Sequence, residues 1–301
     1  MNQQGGYLFV TFAGESSEGE CIYFSLSRDG MHWNDLNAGK WVLRSEIGTK
    51  GVRDPFLLRG AKENRFYLIA TDLRIASGIS WPDAVRNGSK NVVIWESSDL
   101  VQWKGPRLYS PGPSHAGCIW APEAVYDRTR DSYMMFWSAF VEGHHRIYCA
   151  WTRDFREFSE AKCYLSSARD LIDMTILESR GIYYRFYKDE VKKTICADRG
   201  TCLEGAFTPI PSESLMRLVG VEGPAAFLLP DNSCCLLLDH FATGTGYQPL
   251  ISRNPDSGIF KAVAAGSYHM GETHKRHGSV MRVTEQEFQT LSETFGRKTD
   301  E

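Results

Sequence analysis

The chain has 301 residues, a formal net charge of −3, and 42% hydrophobic, 24% charged and 12% aromatic residues. That apolar content can bury a large core, which excludes disorder as a description of the whole chain, and no basic field exists to hold a nucleic-acid backbone. No run reaches the roughly 18 apolar residues of a membrane span, and the opening MNQQGGYLFV has no basic start before a secretory apolar core. The composition therefore predicts a soluble, cytoplasmic protein without nucleic-acid or membrane partners.

In chain order, GYLFVTFA (6–13) and CIYFSLS (21–27) read as strands. DPFLLRG (54–60), RFYLIATD (65–72) and VVIWESS (92–98) follow, with the long segment 73–91 between the last two. Then come APEAVYD (121–127), SYMMFWSAF (132–140) and IYCAWTRD (147–154). DMTILES (173–179), IYYRFYKD (182–189) and TICADRG (194–200) repeat the arrangement, as do GPAAFLLP (223–230), CCLLLDHF (234–241) and PLISRN (249–254). GSVMRVT (278–284) is the last strand, and TEQEFQTLSETFG (284–296) reads as a helical tail. The eight cysteines form no CxxC pair, and adjacent Cys234 and Cys235 should face opposite sides of a strand, so reduced structural thiols are expected.

One pattern recurs: a β-rich run, a small polar residue, an acidic residue and then an aromatic. Its copies are IYFSLSRDGMHW (22–33), VVIWESSDLVQW (92–103) and IYCAWTRDFREF (147–158), with weaker copies at 194–207 and 249–260. The Ser/Thr-x-Asp portion carries turn chemistry, and the aromatic should anchor against a neighbouring repeat. Starts about 50 to 70 residues apart suit propeller blades better than helical solenoids. Four complete units span 51–262. The fifth is split between 278–284 and the two N-terminal strands, and pairing them would close the ring and remove exposed strand edges. The expected fold is all-β: one five-bladed β-propeller domain over 1–301, with another all-β arrangement such as a sandwich as the alternative.

In a propeller, equivalent first-strand positions converge on the axis. Here they carry Arg53-Asp54-Pro55, Trp120-Ala121-Pro122-Glu123, Ile172-Asp173-Met174, Val221-Glu222-Gly223-Pro224 and Arg276-His277-Gly278. Taken singly, Asp54 or Asp173 could serve a turn, Glu222 a solvated loop and His277 the core. Together, carboxylates gathered on a partly buried rim repel and lose solvation, which points to acid-base chemistry or a bound cation.

This ordered set, over roughly residues 6–283, resembles glycoside hydrolase family 43. The resemblance implies a five-bladed propeller that cleaves arabinose-, xylose- or galactose-containing glycans with inversion. It implies Asp54 as general base, Asp173 as the residue that tunes and orients the acid, and Glu222 as general acid. It places His277 at the axis beside a water or calcium ion, a possible metal ligand, with no cofactor otherwise required. Met174 and Glu123 stand where the family's motifs commonly have proline and aspartate.

On this reading Glu222 should be protonated near neutral pH, its pKa raised by ionised Asp173. Arg53, Asp72, Trp120, Glu123, His240 and Arg276, with His277, are the candidate substrate contacts. Segment 73–91, with Trp81 and Pro82, should cover the pocket mouth and favour chain-end cleavage. The function expected is an exo-acting inverting hydrolase that releases α-L-arabinofuranosyl or β-D-xylosyl residues from small oligosaccharides. Another propeller glycosidase (galactosidase, fructan-acting or phosphorolytic) and a non-catalytic carbohydrate-binding propeller stand as alternatives.

Overall fold

Turn chemistry shapes the strands into blades. In the computed structural model, which describes residues 4–62 and 64–296, Ser27 Oγ accepts from Gly30 N at 2.9 Å, and Asp29 Oδ1 accepts from Met31 N and His32 N at 2.8 and 2.9 Å. Ser97 and Asp99 build the same turn around Leu100 to Gln102, and Thr152 and Asp154 build it around Phe155 to Glu157. Each turn delivers its aromatic to the preceding blade: Trp33 to Phe227 at 6.5 Å, Trp103 to Phe24 at 6.2 Å, Phe158 to Tyr109 at 4.1 Å.

The described residues form five four-stranded antiparallel sheets, the blades of a β-propeller. Blade one is β4 (Val52–Arg59), β5 (Phe66–Asp72), β6 (Val92–Ser97) and β7 (Trp103–Tyr109). Blade two is β8 (Ile119–Asp127), β9 (Ser132–Val141), β10 (His144–Thr152) and β11 (Lys162–Leu165). Blade three is β12 (Leu171–Ser179), β13 (Ile182–Asp189), β14 (Thr194–Gly200) and β15 (Thr208–Pro209). Blade four is β16 (Glu222–Leu228), β17 (Cys234–Asp239), β18 (Tyr247–Ser252) and β19 (Lys261–Ala262). Blade five pairs β20 (Arg276–Thr284) with β1 (Gln4–Phe12), β2 (Tyr23–Ser27) and β3 (Asn34–Asp35), so the two ends of the chain close the ring. A sandwich is thereby excluded.

Five apolar clusters fill the seams. Leu8, Phe24, Leu57 and Trp95 join blades five and one; Ile69, Ile94, Met135 and Trp137 join one and two. Phe136 and Met174 join two and three, Phe186 and Leu236 three and four, Phe9 and Phe227 four and five. Cys234 and Cys235 fall in different clusters, as alternation along a strand requires, and all eight cysteines are free thiols. The helix α3 (Glu285–Phe295) starts in a capping box between Thr284 and Glu287 and lies against β1 and β20. Segment 73–91 contains the helix α1 (Trp81–Arg86), and α2 (Glu213–Met216) precedes β16; neither was foreseen from the sequence. Among the described residues no helix is long and apolar enough to cross a membrane.

The innermost strands β4, β8, β12, β16 and β20 contact one another in sequence around the axis. Each begins about two residues earlier than its hydrophobic run suggested, because pairing resumes across a β-bulge. The register jumps between Arg53 and Phe56, Trp120 and Glu123, Ile172 and Thr175, and Glu222 and Ala225, and opposite Thr11 and Phe12 in blade five. These bulges position the site.

Candidate active site

At each bulge one residue turns left-handed: Asp54, Ala121, Asp173 and Gly223, with φ of 51°, 48°, 53° and 53°. His277 holds the corresponding place in β20. Left-handed backbone is unfavourable for non-glycine residues, and such strain concentrates at functional sites. At Gly223 a Cβ would stand 2.7 Å from His277 Cγ, so a side chain there would displace His277. The residue before each bulge (Arg53, Trp120, Ile172, Glu222, Arg276) and the residues Asp54, Asp173 and His277 all line one cavity of about 590 Å³.

Hydrogen bonds fix these groups. Thr71 Oγ1 accepts from Ala121 N at 2.8 Å and donates to Asp54 Oδ2 at 2.7 Å. Asp173 Oδ2 accepts from Gly223 N at 3.2 Å, and Asp173 N donates to Ser138 Oγ at 3.1 Å. His277 Nδ1 lies 3.4 Å from Asp54 Oδ1 and 3.8 Å from Asp173 Oδ1. Tyr247, 3% exposed, donates to Gly223 O at 2.7 Å and accepts from Gly278 N at 3.0 Å, tying blade four to blade five.

Glu222 is clamped by two cations. Lys188 Nζ donates to Oε2 at 2.8 Å and Arg276 Nη2 to Oε1 at 2.7 Å. Arg276 Nε also donates to Asp239 Oδ2 at 2.7 Å. The expected raised pKa of Glu222 is therefore corrected. Burial alone would raise it, but Lys188 and Arg276 outweigh burial and hold the carboxyl below its usual value. The raised carboxyls are its neighbours. Burial pushes Asp173 up to about 6, with the charges of Glu222 and Asp54 adding to burial and those of His277 and Lys188 opposing it. Burial likewise pushes Asp239 up to about 6 despite Arg276.

An aromatic wall closes one side. Trp120 packs on the His145 ring at 5.3 Å and meets Trp81 edge-on at 6.0 Å. Ser80 caps α1 by accepting from Asp83 N, and the helix presents Trp81, Pro82, Val85 and Arg86 to the cavity.

The family-43-related model described as a probable glycosyl hydrolase domain matches residues 2–289. The chain belongs to this family of glycoside hydrolases. As a member of it, the chain is 32% identical over 212 residues to an α-L-arabinofuranosidase of Bifidobacterium longum, a match that covers 62% of this chain and 20% of that protein. This chain thus spans about a fifth of that relative's length. The fold is similar to a family 43 β-1,3-galactosidase bound to galactodeoxynojirimycin (TM-score 0.62, 12% identity, 92% of this chain and 96% of the other). It is also similar to an endo-1,4-β-xylanase from Bacteroides thetaiotaomicron (TM-score 0.61, 15% identity, 88% and 92% covered).

In this member of the family, three residues expected as substrate contacts do not line the cavity. Asp72 is buried and accepts from Thr49 N, Thr49 Oγ1 and Ser89 Oγ at 2.8, 2.9 and 2.6 Å, so it joins two loops. His240 Nε2 bonds Gln248 Oε1 at 3.0 Å, within its own blade. Glu123 lies two residues past its bulge, 3% exposed, with Thr175 as hydrogen-bond partner of its carboxyl and Oε2 without one. Arg53 does line the cavity, but it pairs with Glu20 at 3.2 Å and Glu15 at 3.6 Å rather than with Asp54, Asp173 or Glu222. Among the described residues no group of three or more His, Cys, Asp or Glu is set to hold a metal ion. His277 Nδ1 faces the carboxylates of Asp54 and Asp173.

The cavity also holds Lys188, Glu190, Phe140, His145 and Phe241, none of which sequence reasoning selected. Lys188 and Glu190 flank Asp189, the last residue of β13, which matches Asp72 at the end of β5. The signal available was Lys188 within the run IYYRFYKD, since a mostly buried strand carries charges only where they are paired, as Arg185 is with Asp198.

Proposed function

We propose that this domain is an exo-acting, inverting glycosidase that releases terminal pentosyl residues, α-L-arabinofuranosyl first among them. One observation carries the reading: Asp54, Asp173 and Glu222, from three separate blades, meet on the wall of one cavity. In the proposed step Glu222 gives its proton to the glycosidic oxygen as the bond to the anomeric carbon breaks. Asp54 takes a proton from a water, whose oxygen attacks that carbon from the opposite face. Asp54 is held for this by Thr71 and His277. Asp173 and Glu222 disfavour each other's ionised forms, so the pair resists holding two negative charges and retains a proton for Glu222 to deliver.

The cations on Glu222 imply that activity favours the acid side of neutral, where more of the acid is protonated. The helix α1 supports chain-end cleavage, since it narrows the mouth where a polymer would have to run through. The arabinofuranosidase relative supports the choice of sugar.

The test is release of 4-nitrophenol from α-L-arabinofuranoside, β-D-xylopyranoside, β-D-galactopyranoside and β-D-galactofuranoside by wild type and Glu222→Gln. Release from one of the first two, lost in the variant, is expected. Release from a galactoside alone overturns the pentose assignment. Proton NMR of the first-formed anomer tests inversion.

A further inference from the structure

Lys188 is 2% exposed, yet its ammonium borders the cavity. It lies on β13 opposite Ile172, next to Asp173 on the partner strand. Nζ stands 2.8 Å from Glu222 Oε2, 2.6 Å from Glu190 Oε2 and 4.2 Å from the centre of the Phe241 ring. A buried ammonium persists only where carboxylates compensate it, and here two of them share one cation.

The two cations on Glu222 are therefore each divided. Arg276 is divided with Asp239, which is fully buried on β17; Lys188 is divided with Glu190, whose side chain is 28% exposed at the pocket edge. Glu190 follows β13, donates its backbone N–H to Asp170 O at 2.9 Å, and is held on its other carboxyl oxygen by Lys193. The charged groups around Glu222 are thus Lys188 on β13, Arg276 and His277 on β20, Asp239 on β17, Asp173 on β12 and, across the cavity, Asp54 on β4. Within that set the Lys188–Glu190 arm reaches solvent, so it can be altered without opening the core.

We propose that Lys188 and Glu190 form an opposed positioning pair that sets the pH at which Glu222 acts as the acid. Lys188 favours the charged carboxylate, while Glu190 draws off part of the ammonium and adds a negative charge, favouring the protonated form. This rests on the reading of Glu222 as the acid. Neither residue is required to touch the reacting atoms.

The experiment is the pH dependence of kcat/KM on the best glycoside of the panel for wild type, Lys188→Met, Lys188→Arg and Glu190→Gln, with thermal unfolding of each. In parallel, the Glu222 carboxyl is titrated by carbon-13 NMR, assigned against Glu222→Gln, a readout that needs no turnover. Lys188→Met should move the alkaline limb and the carboxyl titration up by about one pH unit or more, as expected for loss of an adjacent opposite charge. Glu190→Gln should move both down, by roughly half a unit. Lys188→Arg should stay near wild type. A buried residue with a purely structural role would lower kcat or stability without moving the limbs in opposite directions.

Limbs and titrations that stay put, or that shift the same way in Lys188→Met and Glu190→Gln, overturn the proposal. If Lys188→Met fails to fold, Glu190→Gln alone decides, and an unmoved titration rejects the pair. If Glu222→Gln keeps full activity, the acid assignment itself falls. If Glu222→Gln is inactive and the titrations do not move, only the pairing falls.

Discussion

Two glutamates stand near the starts of inner strands, each within two residues of a proline, in blades two and four. Glu222 precedes its bulge, faces the cavity, and meets Lys188 and Arg276. Glu123 follows its bulge by two residues, is sealed beneath the cavity, and meets Thr175 and no cation. The consequences are opposite. Glu222 is held below the ordinary carboxylate range, whereas burial drives Glu123 well above it. A bulge inserts one residue and so reassigns which side chains face the axis. Position relative to the bulge, rather than the motif, decides which glutamate is available for chemistry.

The comparison breaks first if the two glutamates respond alike. Glu222→Gln should lower kcat/KM by about 10²–10⁴-fold, the range for loss of a general acid, read beside thermal unfolding because Lys188 and Arg276 lose a counter-charge. Asp173→Asn removes the second carboxyl of a pair that resists double ionisation, so the alkaline limb of the pH–rate profile should move down. The resulting loss at pH 7 should be of order tenfold, read from initial rates across pH. Asp72→Ala leaves the donors of Thr49 and Ser89 unpaired and should cost about 1–3 kcal/mol in urea unfolding, with KM unchanged.

Glu123→Gln should change kcat/KM by less than about threefold, because the side chain is buried outside the cavity lining and burial disfavours its charged form. Its signature is thermodynamic. The folded-state pKa lies above the unfolded value, so the stabilising contribution is complete below the unfolded pKa and is lost as pH rises towards the folded one. Wild type should therefore lose melting temperature with rising pH more steeply than Glu123→Gln, measured between about pH 5 and 8. His240→Ala should leave KM and the pH profile where they are, since its ring is bonded to Gln248 outside the cavity.

Much of the ring was legible because its determinants are local. Ser27-x-Asp29, Ser97-x-Asp99 and Thr152-x-Asp154 bind their own backbone, so the turn is written in four or five adjacent residues. The split blade followed from a leftover strand at each end. Asp54 and Asp173 were legible because they hold equivalent bulge positions, and Glu222 because it stands one residue before its own, at strand starts that converge. Asp72 and His240 misled for the same reason: the end of a second strand is near the axis, but loop donors claim Asp72 and Gln248 claims His240 before either reaches the cavity. Lys188 escaped because nothing adjacent in sequence signals that its partner lies 34 residues ahead at Glu222, and Glu190 because its role runs through Lys188.

The sequence alone determined the blade count, the closure of the ring and the residue types at the five strand starts, since these rest on periodic apolar runs and short-range turn bonds. The tertiary structure decided which side chains face the cavity and which carboxyl keeps a proton. Both depend on bulge register and on charges brought within 3 Å by blades far apart in the chain, and electrostatic interaction follows distance in space, not separation in sequence.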